Sequence, residues 1–321
     1  MRILFITATR LGDAVLSTGL LSHLIARYPE ARLTIAAGPA AAALFRPVPG
    51  VDQVIALPKM PFGGHWLKLW RRCATRRWDI VVDLRRSLIA WCLWNGQRFL
   101  LPKNDAPMHR VELLGDTLDL RAAPPPPRIW IDDADAALAR DLISDQEPVL
   151  AVGPAANWRG KQWRIDRFRE LAERLTAPDG MLPGARIAVF AAGDERRQVT
   201  PMLDALPDDR LIDAVGRYDL PQIAAILRRC RFFVGNDSGL MHMAAAGGIS
   251  TLGLFGPSRE EHYAPWGTHT AWVRTPESYE ELVGRPGYDH RTTDTLMDGL
   301  SVDRAEQAAC ELWQRCGQTS E

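Results

Sequence analysis

The 321-residue sequence has no uninterrupted run of 18 apolar residues, so no segment reads as a membrane-crossing helix. It also lacks net charge, because 39 Lys and Arg balance 39 Asp and Glu. That balance argues against a nucleic-acid-binding protein. The five cysteines, Cys73, Cys92, Cys230, Cys310 and Cys316, form no CxxC pair and show no metal-ligand spacing. Reduced thiols are the economical reading. The apolar stretch at residues 3–6 is too short for a signal-peptide core. These absences predict a cytoplasmic protein, free or peripheral to the inner membrane. Two phosphate-binding signatures are missing as well. No G-x-G-x-x-G follows the first strand, which weighs against a nicotinamide enzyme, and no Walker spacing occurs. There is no short-period repeat.

What remains is 46% hydrophobic, enough for a substantial core. Apolar runs at residues 3–6, 33–36, 53–57 and 78–84 read as strands. Helical spacing separates them at 14–27, 66–75 and 87–95. Four prolines, Pro124 to Pro127, then interrupt the pattern, since they fit neither a helix nor a central strand. A helix is expected at 132–144 and a hinge at 146–148. A second alternating series follows, with strands at 149–153, 185–192, 211–214, 232–234 and 250–255. Its helices are expected at 164–175, 195–206 and 220–228, with a last one at 303–315. Residues 277–295 read as a loop. Alternation of this kind predicts an α/β protein with parallel sheets covered on both faces. The two series suggest two doubly wound domains facing each other across a cleft, at 1–146 and 147–302, followed by 303–321.

Chemistry in such sheets gathers at the carboxyl ends of strands. The richest stretch there is Gly235-Asn236-Asp237-Ser238-Gly239-Leu240-Met241-His242, where a strand turns into a helix. Asp237 or Ser238 can cap that helix. Its unpaired N–H groups and its dipole make a seat for a phosphate. A capped helix after a core strand is the plainer reading, and His242 alone would more often be a packed helix histidine. No second His or Cys lies at ligand spacing for a metal.

Three other strand ends carry reactive groups. Arg10-Leu11-Gly12-Asp13 follows the first strand, and Asp13 can either cap a helix or accept a proton from a hydroxyl. Asn157 and Lys161 follow the first strand of the second series, where Lys161 can meet a diphosphate as a mobile point charge. Glu195 follows the next strand and can hold a ribose or complement a helix dipole. Lys68, Arg71, Arg72, Arg76, Arg77, Arg85 and Arg86 form a basic run. It is either a solvated face or a dock for an anionic glycolipid at the cytoplasmic leaflet. Trp66, Trp70, Trp91 and Trp94 belong either to that interface or to the core.

The motif Val234-Gly235-Asn236-Asp237-Ser238-Gly239-Leu240-Met241-His242-Met243-Ala244-Ala245-Ala246 resembles glycosyltransferase family 9, the lipopolysaccharide heptosyltransferase family. Leu254-Phe255-Gly256-Pro257-Ser258 and Tyr263-Ala264-Pro265-Trp266-Gly267 stand at the family's spacing, and Arg10-Leu11-Gly12-Asp13-Ala14-Val15-Leu16-Ser17-Thr18 resembles its opening. The resemblance implies a GT-B fold of two Rossmann-like domains. The N-terminal domain would bind the acceptor, the C-terminal domain the donor, and the last helix would return to the N-terminal domain. It implies inverting, metal-independent transfer of a sugar, heptose in the first instance, from a nucleotide-diphosphate donor such as ADP-heptose to a lipopolysaccharide core or related glycan.

By position, Asp13 is similar to the family's catalytic base and Lys161 to the lysine that neutralises the diphosphate. Asn157, Glu195, Asp237, Ser238, Gly239, Leu240 and His242 would touch the donor. Arg10, Gly12, Arg85 and Arg86 would touch the acceptor. Ala155-Ala156-Asn157 departs from the hydroxyl residues that heptosyltransferases tend to carry there. No cofactor and no metal are implied. The expected partners are the nucleotide sugar and an anionic glycolipid or glycan, without nucleic acid, around a monomer. A sugar-nucleotide epimerase on the same architecture and a noncatalytic nucleotide-sugar binding module are the competing readings.

Overall fold

A computed structural model of the chain describes residues 1–103 and 107–317. It divides into two compact units, Met1–Asp132 and Asp133–Glu321.

The first unit holds strands β1 (Arg2–Ile6), β2 (Arg32–Ala37), β3 (Val51–Ala56), β4 (Trp78–Asp83) and β5 (Asn95–Leu100). They form one parallel sheet in the order β3-β2-β1-β4-β5. Ile3, Leu4, Phe5 and Ile6 of β1 are all fully buried, as a central parallel strand covered on both faces requires. The helix expected at 14–27 is two helices, Leu11–Leu16 and Thr18–Arg27, broken at Ser17. The Ser17 and Thr18 hydroxyls donate to the carbonyls of Ala14 (2.7 Å) and Val15 (2.6 Å). Such back-bonding competes with a continuous helix. Expected helix 87–95 shrinks to Ile89–Cys92, and β5 takes up the chain beyond it.

The four prolines stand just before the division between the units. A Cβ on Gly19 would meet the Pro125 carbonyl oxygen at 2.1 Å, so the segment lies directly on the Thr18–Arg27 helix. The Arg128 N–H donates to Thr18 Oγ1 at 2.9 Å. The boundary falls after Asp132 rather than after residue 146, because the Asp133–Leu142 helix packs on Leu220–Leu227 of the second unit.

The second unit holds β6 (Val149–Gly153), β7 (Arg186–Val189), β8 (Leu211–Asp213), β9 (Phe232–Asn236), β10 (Ser250–Phe255) and β11 (Thr270–Arg274). Their order is β11-β10-β9-β6-β7-β8, again all parallel. The last helix, Val302–Gly317, corrects a second expectation. Its Ala305, Ala309, Leu312 and Cys316 sit in this unit's own core with Leu150, Phe168 and Phe232. Trp313 meets Phe232 edge-on at 6.4 Å. Arg174 adds ion pairs to Asp303 (2.7 Å) and Glu306 (2.9 Å). The apolar face that was to return to the N-terminal domain is therefore used within the second unit. Residues 318–321 of that expected element lie outside the described residues. The loop expected at 277–295 contains a short helix, Tyr279–Val283.

Candidate functional site

Each sheet has one point where the chain order reverses. In the first unit it lies between β1 and β4, and in the second between β6 and β9. Doubly wound sheets bind ligands at the carboxyl edge of that point, because the loops there leave in opposite directions and open a crevice. Most candidate residues of both units fall on these two positions. Asp13 follows β1 while Arg85 and Arg86 follow β4; Lys161 follows β6 while Asp237 follows β9.

The second unit fixes its switch point with a buried network. Gly153 and Gly235 are register partners across β6 and β9. A Cβ on Gly235 would stand 2.8 Å from the Gly153 carbonyl oxygen and 2.7 Å from Phe233 Cζ. Only glycine allows that approach. Asn236, fully buried, then ties the two loops together. Its Nδ2 donates to the Pro154 carbonyl at 2.7 Å, and its Oδ1 accepts from Trp163 N–H at 3.1 Å. Gln162 Nε2 donates to the Ala156 carbonyl at 2.9 Å. Between these anchors lies the Arg159–Lys161 turn, and Lys161 Nζ pairs with Asp237 Oδ2. Asp237 is buried and Lys161 half-buried. A charge pair held this far from water is costly unless it serves a site or is fully compensated.

Ser238 begins the Gly239–Gly247 helix with extended backbone, yet its hydroxyl makes no capping bond. Of the two expected caps, Ser238 holds the N-cap position without a side-chain bond, and the Asp237 carboxylate pairs with Lys161. Ser238 Oγ is buried with no hydrogen-bond partner among the described residues. So is Ser258 Oγ, in the turn after β10. Arg274 on β11 braces that turn, donating to Gly256 O at 3.1 Å and pairing with Glu260 at 2.6 Å. The buried Ser238 hydroxyl beside the open N–H groups of a helix start suits a phosphate oxygen. His242 is buried in the helix's first turns, and Gly239 and Leu240 are half-buried. Asn157 is exposed, between β6 and the Lys161 turn. Glu195 sits one strand away, after β7, where its Oε2 accepts the Ala192 N–H at 2.9 Å. It thus caps its own turn, the plainer of its two expected roles.

In the first unit Asp13 is the third residue of Leu11–Leu16 and half-buried. Arg110 Nε stands 3.5 Å from its Oδ1. Arg110 opens the Arg110–Gly115 helix, whose capping box joins His109 and Glu112. Sequence reasoning missed this residue. The available signal was local: a cation at a helix start opposes the dipole. Arg10 is exposed at the N-cap of the Asp13 helix, with Gly12 in its first turn.

After β4, the buried Asp83 carboxylate accepts from Arg85 N–H (2.9 Å), Ser87 N–H (2.8 Å) and Ser87 Oγ (2.6 Å). Burial pushes its carboxyl above the usual range, against the pull of those donors. The turn it shapes presents Arg85, whose guanidinium lies 4.4 Å over the Trp66 ring. Burial lowers the Arg85 pKa, and its Nη1 has no hydrogen-bond partner among the described residues. Arg86 is exposed, at φ +53°. Trp66 packs against the core, whereas Trp70, Trp91 and Trp94 are exposed. Among the described residues, no group of three or more His, Cys, Asp or Glu is arranged to hold a metal ion. No helix among them is long and apolar enough to cross a membrane.

The chain is similar to known proteins in sequence and fold. Lipopolysaccharide heptosyltransferase 2 of Salmonella typhimurium is 26% identical, over 88% of this chain and 90% of its own length. A crystal structure of a family 9 glycosyltransferase from Veillonella parvula superposes with a TM-score of 0.80, at 21% identity, over 98% of this chain and 97% of the other. The E. coli ADP-heptose LPS heptosyltransferase II structure gives a TM-score of 0.75 at 20% identity, over 99% of this chain and all of the other. The shared fold is GT-B, two Rossmann-like α/β domains. The sequence profile of glycosyltransferase family 9 (heptosyltransferase) matches residues 103–285. With the Asp237-Ser238-Gly239 turn and the Lys161 loop both inside that match, the chain belongs to glycosyltransferase family 9.

Proposed function

We propose that the protein transfers a heptosyl group from ADP-heptose to the core of lipopolysaccharide, with inversion at the anomeric carbon and without a metal ion. The observation that carries this reading is the Lys161–Asp237 pair locked at the second unit's switch point. The pair divides the labour by chemistry. Lys161 and the N–H groups of the Gly239–Gly247 helix only donate, and the Ser238 hydroxyl can donate beside them, so they suit the diphosphate. Asp237 accepts hydrogen bonds only, so it suits sugar hydroxyls. Lys161 and the helix start supply the positive charge that a bound cation would otherwise bring to the leaving group.

In the reaction the acceptor oxygen attacks the anomeric carbon from the face opposite the diphosphate. The carbon–oxygen bond to the diphosphate breaks, and ADP departs with the electron pair. The acceptor hydroxyl proton passes to an Asp13 oxygen. Arg10, Arg85 and Arg86, with the Gly12 backbone, hold an anionic acceptor near Asp13. The enzyme acts at the cytoplasmic face of the inner membrane, where such a glycolipid is presented.

The test is a thermal-shift panel of nucleoside diphosphates and their sugar conjugates, followed by transfer with and without a chelator. ADP-heptose should raise the melting temperature most, because a ligand of the folded state stabilises it. Chelator should leave the rate unchanged, and the product should carry the inverted anomer. A panel in which no adenine nucleotide shifts the melt would overturn the donor assignment.

A further inference from the structure

The geometry points to a lipid-docking face on the first unit, formed by the Gly64–Cys73 helix, the turn before it and the segment from Leu88 to Trp94. We infer that this face seats on an anionic phospholipid surface with Phe62, Leu88, Trp91 and Trp94 entering the headgroup layer. This deepens the reading of a glycolipid acceptor and rests on it for its purpose, though not for its test.

Three observations converge. Among the described residues nine large hydrophobics are exposed, and seven of them lie between Met60 and Trp94. Phe62 is 108% exposed, Leu88 79%, Trp94 69% and Trp91 63%. A concentration of this kind marks an interaction site. Second, residues 59–103 hold ten Lys and Arg against two Asp, a net +8 in a chain whose total is zero. The two acids do not offset the outer charge: Asp83 is buried, and Asp79 Oδ2 accepts the Arg2 N–H at 2.7 Å. Third, the aromatics are held outward by the fold. Phe62 and Gly63 both adopt left-handed backbone, at φ +53° and +72°. For a phenylalanine that conformation is unfavourable, and it points a bare ring into solvent. His65 Nδ1 steadies the turn by accepting the Met60 N–H at 3.3 Å.

The pieces form one surface. Leu69 and Cys73 of the helix face the core under the sheet, while Leu67, Lys68, Trp70, Arg71 and Arg72 face out. Trp70 Nε1 donates to the Cys92 carbonyl at 3.2 Å, joining the helix to the second segment. Arg98 lies 4.0 Å over Trp91 and Arg77 5.5 Å over Trp94. Indoles interleaved with guanidinium groups suit a headgroup layer, where the ring enters the boundary and the cation meets phosphate. A protein partner would want its apolar anchors gathered in a charge-poor centre, and here the two most exposed indoles, Trp91 and Trp94, each carry an arginine.

The experiment is co-sedimentation of the full chain with phosphatidylglycerol or phosphatidylcholine vesicles, at low and high salt. Wild type should partition onto phosphatidylglycerol and leave it at high salt. Phe62→Ser/Trp91→Ser/Trp94→Ser and Lys68→Glu/Arg71→Glu should each weaken partitioning about tenfold or more. Both should melt with wild type and keep transfer to a soluble, lipid-free acceptor. Equal binding to both lipids, or an aromatic triple variant that binds like wild type, would overturn the inference. A dimer that these substitutions dissolve, without vesicle binding, would overturn it too. Vesicle binding that follows the expected pattern in a protein showing no transfer would sink the proposed function and leave this face standing.

Discussion

Arg110 Nε lies 3.5 Å from Asp13 Oδ1, joining the starts of two helices in the N-terminal unit. The pair places a cation beside the carboxylate that the proposed reaction uses as its base. It also restrains that carboxylate, since each side chain is only about a fifth exposed, 20% for Asp13 and 22% for Arg110.

Asp13→Asn should lower turnover by about 10²-fold or more while leaving donor affinity unchanged, because only the proton acceptor is lost. Single-turnover transfer beside calorimetric donor binding checks it. Near-normal transfer removes Asp13 from the mechanism.

Arg110→Ala should lower turnover about tenfold through a looser Asp13, with the donor's KM unmoved. Arg110→Lys should recover part of the loss. In the double variant with Asp13→Asn, the Arg110 change should cost nothing further, as expected for residues acting as a unit. Multiplying losses would mean that Arg110 acts independently.

Lys161→Met leaves the buried Asp237 carboxylate without its cation. Because Lys161 is partly exposed, the cost should be about 1–3 kcal/mol, below the full penalty of a deeply buried broken pair. The melting temperature should fall by several degrees, and donor affinity should collapse. Thermal melts with and without ADP separate the two effects. Unchanged ADP binding would place the diphosphate elsewhere.

Asn236→Ala should destabilise the second unit by about 2–4 kcal/mol, since it strands the Pro154 carbonyl and the Trp163 N–H. Denaturant unfolding reads this directly. A loss within experimental scatter would mean that the network does not hold the Lys161 loop.

All five cysteines are free, and they should differ in reactivity. Burial pushes the Cys73 thiol up to about 11 and raises Cys230 further. A raised pKa depletes the thiolate near neutrality, and burial blocks the reagent. Exposed Cys92 should therefore be alkylated first at pH 8 and Cys73 and Cys230 only on unfolding. Peptide mass spectrometry over time gives the order.

The central strands were legible in the sequence because burial leaves no alternative. Every residue of β6 and β10 is buried, and both strands match the expected bounds. The strands that escaped notice, β5 and β11, are edge strands with exposed or half-exposed residues such as Gln97, Arg98 and Thr270. Without an apolar run or clean alternation, their pairing comes from the neighbouring strand. The break at Ser17 was hidden because apolar spacing carries across it, while two hydroxyl-to-carbonyl bonds decide it. The Val302–Gly317 helix was legible as a helix, but the surface it covers was not.

The site divides in the same way. Asp13, Lys161 and Asp237 stood out as residues at strand ends. Their partners did not, because Lys161–Asp237 and Asp13–Arg110 are tertiary pairings that spacing cannot show. Asp237 or Ser238 is expected as the cap; Ser238 holds that position, but its hydroxyl is buried without a partner among the described residues.

The most direct test is to follow ADP-heptose by phosphorus NMR with the purified protein, first alone and then with a heptose-free lipopolysaccharide core. ADP should be released only when the core is present, in equal amount to a core grown by one heptose. Donor consumed or isomerised without the core, or left intact with it, would contradict the account.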